Sequence, residues 1–285
     1  MESPHLNITS PLLLNPEHAV HVLTIFIRDG VRRTGLSKAV IGLSGGVDSA
    51  LSTYLAVRAL GAENVHVVLM PYRSSSPDSV SDAMAVVNDL HISHELFDIT
   101  PMGDAFIAET EKGIGEIDKM RRGNSFARFR MITLYDRSQA RNALVIGTSN
   151  KTESLLGYTT IYGDNASAIN PLGDLYKTQV WQLSKWIGVP EQIVSKAPSA
   201  DLWPGQTDET ELGVTYAAVD ELLFYMIDVR ERDEELVVRG FDAKFIADIR
   251  KKIQRMQFKR SLPLIGKISN RTINADYRYP RDWGT

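Results

Sequence analysis

Apolar residues follow two alternating patterns along the first half of the chain, one typical of buried strands and one typical of helices. Short β-branched runs predict strands, and apolar residues spaced three or four apart predict the helices between them. The strands are expected at residues 39–43, 65–70, 95–99 and 143–147. The helices are expected at residues 18–33, 49–60, 80–90 and 124–141. This alternation implies a parallel sheet covered on both faces, with ligands beyond the carboxyl ends of the strands.

The pattern changes after Thr148, where loops rich in glycine, asparagine and aspartate replace the strands. Long loops within a compact protein are commonly functional. Further helices are expected at residues 180–187, 191–194, 214–229 and 244–258. No proline- or serine-rich linker separates two parts, so residues 1–285 are interpreted as one domain. Its α/β core is expected at residues 18–200, and residues 201–285 are expected to supply a substrate loop, C-terminal helices and a tail.

Composition and charge exclude several classes of function. The 32 basic and 35 acidic residues give a net charge of −3, so no overall field attracts nucleic acid or an anionic membrane surface. The chain has no cysteine, which excludes disulfides, thiolate metal sites and sulfur transfer on a protein thiol. It has no signal-peptide pattern and no apolar run near the roughly 20 residues needed to cross a bilayer. A cytoplasmic protein that binds neither membrane nor nucleic acid is therefore expected.

The segment Ser44-Gly45-Gly46-Val47-Asp48-Ser49 follows the first predicted strand and precedes a helix. Glycines at such a turn let the backbone approach a ligand closely, and the amides of the turn form an anion site. The segment is neither a Walker A loop nor a GxGxxG motif. Asp48 would repel phosphate unless a divalent cation lay between them, an arrangement that Mg²⁺ prefers. The alternative is that Asp48 or Ser49 only caps the helix.

This segment resembles the pyrophosphate-binding loop of the ATP pyrophosphatase superfamily, whose members cleave ATP to AMP and pyrophosphate. A second cluster, residues 147–164, follows the last predicted strand and reads GTSNKTESLLGYTTIYGD. With residues 123–131, 170–177 and 196–202, it resembles the NAD synthetase family in order and spacing, and the resemblance extends from Val20 to Arg260. It implies an adenine nucleotide alpha hydrolase-like fold, in which a doubly wound parallel sheet is flanked by helices.

The resemblance implies an ammonia-dependent NAD synthetase. Such enzymes adenylate the nicotinate carboxylate of deamido-NAD, release pyrophosphate, and let ammonia displace AMP to form the amide. The implied cofactor is Mg²⁺, with Asp48 and Glu153 as ligands. The implied ATP contacts are Gly42, Leu43, Ser44, Gly45, Gly46, Val47, Asp48, Ser49, Thr148, Lys177 and Ser199. The implied deamido-NAD contacts are Asn124, Arg128, Asp164, Phe258 and Lys259.

Three residues are the catalytic candidates: Asp48, Lys177 and Asp164. A lysine near the phosphates would stabilise the charge that builds on the leaving pyrophosphate. Asp164 is expected to position ammonium and accept its proton, because ammonia attacks only as the free base. The alternative for Asp164 is a turn carboxylate that bonds only its own backbone. For Glu153 alone, the alternative is a solvated carboxylate at a helix start.

The chain departs from the family pattern at three positions. Ile161 and Ala168 stand where well-known members have a lysine and an aspartate that contact deamido-NAD, and Phe258 replaces a histidine. Either other groups hold the dinucleotide, which we favour, or a different acid is amidated. The groups considered for this role are Asn165, Asp201 and Asp208.

The resemblance also implies a homodimer, and ammonia as the nitrogen donor. The chain has neither the length nor the cysteine of the amidase domain found in glutamine-dependent members, so free ammonia is expected unless a separate amidase supplies it. Three alternatives stay open: an ATP-dependent amidase of another carboxylic acid, a tRNA-modifying ATP pyrophosphatase, and a nucleotide-binding module without turnover.

Overall fold

Four parallel strands form one sheet in the computed structural model, which describes residues 10–199, 208 and 213–273. The strands are β1 (Lys38–Gly42), β2 (Val65–Leu69), β3 (Ser93–Leu96) and β4 (Ala143–Val145). Their spatial order is β3-β2-β1-β4, and Val40 at the centre of β1 is in register with His66 on one side and Val145 on the other. This arrangement confirms the doubly wound α/β fold.

Helices cover both faces of the sheet. The first seven are α1 (Pro16–Arg32), α2 (Val47–Leu60), α3 (Pro77–Leu90), α4 (Thr100–Ile114), α5 (Lys119–Arg141), α6 (Lys151–Leu156) and α7 (Lys177–Ile187). Further helices among the described residues are α8 (Glu191–Val194), α9 (Tyr216–Leu223), a π-helical segment (Phe224–Val229), α10 (Asp233–Val238) and α11 (Ala243–Arg255). Short 3-10 helices lie at Ser10–Leu12, Ala62–Asn64 and Gln257–Arg260. No helix among the described residues is long and apolar enough to span a membrane.

Successive residues of the central strands enter different cores. Ile41 and Val67 pack in the larger core beneath α1, α2, α3 and α7, whereas Val40 and Val68 pack in a second core with Phe126 of α5. Because neighbouring side chains of a strand point to opposite faces, each central strand is buried on both sides. This double burial explains why the strands appear in the sequence as continuous apolar runs.

The C-terminal helices form a third core of their own. Buried residues of α9, α10 and α11 pack there with Leu156 of α6 and Tyr176, just before α7. The helix predicted at residues 214–229 is α9 followed by the π-helical segment, and the one predicted at residues 244–258 is α11. This third core places α9 directly against the N-terminal ends of α6 and α7.

Several predicted boundaries were wrong, and three helices, α4, α6 and α10, were not predicted. α3 begins three residues early because Ser76 caps it, and α5 begins at Lys119 because Asp118 caps it. β3 ends at Leu96. Beyond its end, the N–H groups of Phe97 and Ile99 still donate to the carbonyls of Leu69 and Pro71. In α4, Gly103 is the only buried residue, so this helix lacks a strong apolar stripe. Helices α6 and α10 have only 6 residues each, which is too short for a clear helical period.

Candidate active site

A cavity of about 540 Å³ lies at the carboxyl ends of β1 and β4. From β1 the strand order continues through β2 to β3 on one side, and β4 then lies on the other side of β1, so the cavity occupies the topological switch point. Residues 42–49 line one wall. The cavity is also lined by Thr148, Glu153, Asp164, Lys177, Ser199 and Asp208. The fold thus brings every predicted ATP contact and both predicted metal ligands to one cavity.

The glycine turn after β1 requires its glycine. Gly45 has a φ of +81°, and a Cβ atom at this position would lie 2.2 Å from the carbonyl oxygen of Ser79. The turn is closed by a 3.1 Å hydrogen bond between the hydroxyls of Ser44 and Ser49, and Ser49 also donates to the carbonyl of Gly46 at 2.9 Å. The sequence therefore fixes a rigid turn at the start of α2, where backbone amides can receive an anion.

Asp48 does not act as the cap of α2. The N-cap is Gly46, which has no side chain to cap the helix. The Asp48 carboxylate instead accepts a 2.9 Å hydrogen bond from the Asn150 side chain and pairs closely with the Lys177 ammonium. Both partners follow β4, so Asp48 connects the two loops at the switch point.

Glu153 lies at the start of α6 with 15% of its side chain exposed, so it is not a freely solvated carboxylate. It forms a capping box with Asn150: the Glu153 carboxylate accepts from the Asn150 N–H at 3.1 Å, and the Asn150 side chain accepts from the Glu153 N–H at 2.9 Å. Its other oxygen lies 3.6 Å from Lys177 Nζ. Burial raises the pKa of the Glu153 carboxyl well above its ordinary value, and the charge of Asp48 raises it further, while Lys177 acts against both.

Lys177 lies between the two carboxylates with only 2% of its surface exposed. Burial disfavours its charge, but Asp48 and Glu153 outweigh burial and raise the pKa of the ammonium above its ordinary value. The ring of Tyr216 packs beside it, 5.4 Å from Nζ. With both carboxylates ionised, the cluster has an excess of negative charge, and this repulsion is one cause of the raised pKa of Glu153.

This excess of negative charge fits a divalent cation that is shared with a ligand. Among the described residues, no group of three or more His, Asp or Glu side chains is placed to hold a metal ion by itself. Mg²⁺ is usually held by one or two carboxylates together with substrate phosphates and waters. Asp48 and Glu153 are such a pair, and the glycine turn lies beside them.

Asp164 faces the same cavity from the loop after α6. Its carboxylate accepts a 2.5 Å hydrogen bond from the N–H of Thr160, so the turn contact considered as an alternative is present. Asp164 also lines the cavity, and although the residue is exposed, the protein around its carboxyl desolvates that group and raises its pKa. Backbone hydrogen bonds and Lys259 act against the increase. Asp164 therefore both holds its own turn and lies in the wall of the cavity that the glycine turn also lines.

The other predicted deamido-NAD contacts lie outside this cavity, and three of them bond the loop that carries Asp164. Lys259 Nζ donates to the carbonyls of Gly157 (2.8 Å) and Thr159 (2.6 Å). The Arg128 guanidinium donates to the carbonyl of Ile161 at 3.2 Å. The Asn124 side-chain oxygen accepts from the Thr160 hydroxyl at 2.7 Å. Phe258 is 59% exposed.

Two of the groups considered as replacement ligands have different surroundings. Asn165 donates to the carbonyl of Lys259 at 3.3 Å, outside the main cavity. Asp208 is buried in the cavity wall and accepts from the Tyr216 hydroxyl at 3.0 Å. Burial raises the pKa of Asp208, and the charge of Asp48 adds to the increase. Asp201 lies outside the described residues.

Two residues that line or organise the cavity were not assigned from the sequence. The Asn150 side chain bonds both Asp48 and Glu153. The sequence could have indicated this residue, because an asparagine three positions before a glutamate is typical of a capping box. Arg130 lines the cavity and donates to the carbonyl of Met70 at 3.0 Å. Its position could not be predicted, since it depends on how α5 packs across the sheet.

The sequence is similar to known synthetases over nearly its whole length. The family model described as NAD synthase matches residues 19–263. A protein of Trichlorobacter lovleyi named NH(3)-dependent NAD(+) synthetase is 52% identical over 275 residues, which cover 96% of this chain and 99% of that protein.

Solved structures have the same architecture. An NMN synthetase from Francisella tularensis aligns with a TM-score of 0.79 at 35% identity, covering 89% of this chain and 99% of the other. An NH3-dependent NAD synthetase from Campylobacter jejuni, solved with a nitrate ion, aligns with a TM-score of 0.75 at 35% identity, covering 89% and 100%.

Proposed function

The chain belongs to the NAD synthase family, and we propose that it converts deamido-NAD, ATP and ammonia to NAD, AMP and pyrophosphate. The observation that carries this proposal is the Asp48–Lys177–Glu153 cluster beside the glycine turn, in one cavity at the switch point. A module that only retained a nucleotide would not need two carboxylates and a buried lysine beside its phosphate turn. The similarity to an ammonia-dependent synthetase over 99% of that protein supports the choice of nitrogen donor.

The reaction divides into two displacements. In the first, an oxygen of the nicotinate carboxylate bonds to the α-phosphorus of ATP, and the bond to the β-phosphate oxygen breaks to release pyrophosphate. In the second, ammonia adds to the activated carbonyl carbon, AMP leaves with the bonding electron pair, and a proton is lost from nitrogen. Bound Mg²⁺, held by Asp48 and Glu153, would neutralise charge on the phosphates.

The chain's own residues stabilise each displacement in this proposal. The amides of the glycine turn receive the pyrophosphate. Lys177, fully charged at neutral pH, stabilises the charge that develops on the leaving group. Asp164 lies in the same cavity wall and accepts a proton from ammonium, which frees the nitrogen lone pair.

Asp164→Asn is expected to lower the rate of amide formation about a hundredfold, the range typical of losing a general base. The amide oxygen of asparagine can still accept the N–H of Thr160, so the loop keeps its turn contact. Pyrophosphate release that stays near the wild-type rate while NAD formation falls would place the defect in the second displacement. An unchanged rate of NAD formation would assign Asp164 a purely structural role.

The loop that carries Ser199 is fastened to α3. Lys196 Nζ lies 2.7 Å from an oxygen of Asp82, and Gln192 donates to the other oxygen at 3.1 Å. Lys196 and Ser199 both line the cavity, as do residues 79, 80 and 83 of α3. The ion pair thus joins two walls of the ATP cavity.

Lys196→Met is expected to raise the KM for ATP severalfold, equivalent to about 1 kcal/mol of lost positioning, with little change in kcat. Asp82→Asn should give the same result, because it removes the other partner of the pair. Lys185→Met, at an exposed position of α7, is the matched control. A fall in kcat at unchanged KM would contradict this role.

The test of the proposed function is a single assay with parallel arms. Pyrophosphate and NAD are measured with ATP, Mg²⁺, deamido-NAD and ammonium, and then with glutamine in place of ammonium. NAD formed with ammonium and not with glutamine supports the proposal and its nitrogen donor. Absence of pyrophosphate and NAD from every deamido-NAD arm contradicts it.

A second candidate is amidation of the mononucleotide acid that corresponds to NMN. The observations that favour testing it are the altered positions Ile161, Ala168 and Phe258, and the structural similarity to an NMN synthetase. A third arm of the assay therefore contains the mononucleotide acid. A kcat/KM that is higher for this acid than for deamido-NAD would select the second candidate.

The proposal includes a Mg²⁺ cofactor and a homodimer, which the family resemblance implies. It also includes a cytoplasmic location and one domain over residues 1–285, which were predicted from the sequence. The match to the NAD synthase model over residues 19–263 supports treating the core and the C-terminal helices together. Sedimentation of the purified protein measures the dimer.

A further inference from the structure

One buried carboxylate outside the cavity connects the two helices that carry Glu153 and Lys177. Asp220 lies on α9 and is completely buried. One of its oxygens accepts a 2.5 Å hydrogen bond from the hydroxyl of Thr152 on α6, and the other accepts a 2.8 Å hydrogen bond from the N–H of Thr178 on α7. Asp220 therefore joins the first turns of both helices.

Asp220 adds to the capping of α7, in which the Gln179 side chain already accepts from the Tyr176 N–H at 2.9 Å. The first N–H groups of a helix have no partner within it, and the N-cap here is Tyr176, whose side chain does not accept from the first turn. The N–H of Thr178 bonds Asp220, and the N–H of Lys177 bonds the Thr152 hydroxyl at 3.0 Å. Thr152 thus accepts from Lys177 while it donates to Asp220.

Both threonines that bond Asp220 are sequence neighbours of a charged residue of the cavity. Thr152 precedes Glu153, and Thr178 follows Lys177. The side chains of Lys177 and Glu153 lie 3.6 Å apart. Thr152, Thr178 and Asp220 are all buried, so a shift of the backbone at either helix start would change that separation.

We propose that Asp220 is a positioning residue that sets the placement of Lys177 relative to Glu153 through Thr152 and Thr178. It contacts neither substrate nor the cavity, and the proposal rests on the proposed function of that cavity. Partners of this kind typically change activity or metal affinity about 10–100-fold when they are removed. The effect should appear in the chemical step, because the misplaced groups act on charge that develops during the reaction.

The experiment compares Asp220→Asn, Thr152→Val and the double variant with the wild type. Asp220→Asn is expected to lower kcat about tenfold and to weaken Mg²⁺–ATP binding in calorimetry, with the KM for deamido-NAD within about twofold of wild type. Thr152→Val should give the same loss, and the double variant should be no worse than either, because both substitutions break one network.

Two controls separate positioning from general loss of stability. Glu221→Gln removes the same charge one position along α9, and Leu236→Ala removes a buried side chain from the same C-terminal core. Wild-type kcat in both controls, with a lower melting temperature for Leu236→Ala, supports the proposal. A fall in kcat for Leu236→Ala as large as that for Asp220→Asn overturns it, as does wild-type kcat in Asp220→Asn.

Failure of the proposed function can be distinguished from failure of the Asp220 proposal. If the wild type forms no amide from any acid tested, the activity assignment fails for the wild type itself. Mg²⁺–ATP binding still tests Asp220 in that case: weaker binding by Asp220→Asn than by Glu221→Gln supports the positioning role, and equal binding overturns it.

Discussion

Replacing Lys177 with methionine is expected to lower pyrophosphate release at least about a hundredfold, the cost of removing one preorganised group that stabilises a developing negative charge. Methionine keeps the length and the apolar stem of lysine but removes the ammonium. The leaving pyrophosphate then lacks its fixed positive charge, and Asp48 loses its closest cationic partner. Single-turnover release of pyrophosphate measures the effect directly.

The same substitution should also destabilise the metal-free protein. Asp48 and Glu153 would face one another without a cation between them, and removing one partner of a buried ion pair commonly costs about 3–5 kcal/mol. Mg²⁺–ATP should restore much of this stability, since it brings positive charge to both carboxylates. The melting temperature with and without Mg²⁺–ATP measures this recovery.

Lys151→Met is the matched control for this prediction. Lys151 begins α6, and its ammonium pairs with Asp228 (2.8 Å) and Asp174 (3.1 Å) instead of the cavity carboxylates. It should keep kcat near the wild-type value. A Lys177→Met variant that releases pyrophosphate at the wild-type rate would remove lysine from the proposed mechanism.

Glu153→Gln is expected to abolish amide formation, with a loss of about a thousandfold, and at the same time to stabilise the metal-free protein at neutral pH. The glutamine oxygen can still accept the N–H of Asn150, because glutamine serves in a capping box as glutamate does. Lys177 and Asp48 then form a pair without excess charge. The substitution therefore removes a metal ligand without breaking the local fold.

The gain in stability follows from the pKa of Glu153. The folded state holds its proton to a higher pH than the unfolded state does, because burial and Asp48 raise that pKa above the ordinary value of 4.5. As pH rises above 4.5, the unfolded state releases this proton first, so the wild type loses stability with rising pH. Glutamine does not titrate, so the variant should lose less stability over the same range.

Thermal unfolding of wild type and Glu153→Gln, each measured at pH 5 and pH 8 with and without Mg²⁺, checks this prediction. Glu191→Gln, an exposed substitution in the first turn of α8, is the control for loss of a charge. Mg²⁺ should stabilise the wild type and the control more than Glu153→Gln. Lower stability of Glu153→Gln than of wild type at pH 8 without metal would contradict the electrostatic argument.

The sequence by itself determined the class of fold and the nucleotide turn. Continuous β-branched runs at residues 39–43 and 65–70 identify strands buried on both faces, because only a sheet covered on both sides buries every residue of a strand. The glycine turn is local in part: the positive φ of Gly45 belongs to one position, whereas its close approach to the Ser79 carbonyl depends on the packing of α3. Composition had already excluded chemistry based on cysteine.

Local sequence patterns could not predict features that depend on tertiary packing. Helix α4 has little buried surface and no side-chain cap, so neither periodicity nor a capping residue indicated it. The role of Arg128 and Lys259 shows the same limit, because charged side chains at those positions could bind a phosphate or a backbone carbonyl. Here both donate to carbonyls of the loop that carries Asp164.

The charge cluster of the cavity was decided only by the tertiary structure. Asp48 and Lys177 are 129 positions apart, and Asp220 is 68 positions from Thr152. Pattern and propensity act over a few residues, whereas these contacts depend on the switch in strand order and on the packing of α9 against α6 and α7. The sequence supplied the residue types for a nucleotide site. The fold determines which of these residues form ion pairs, which are buried, and which hold the others in place.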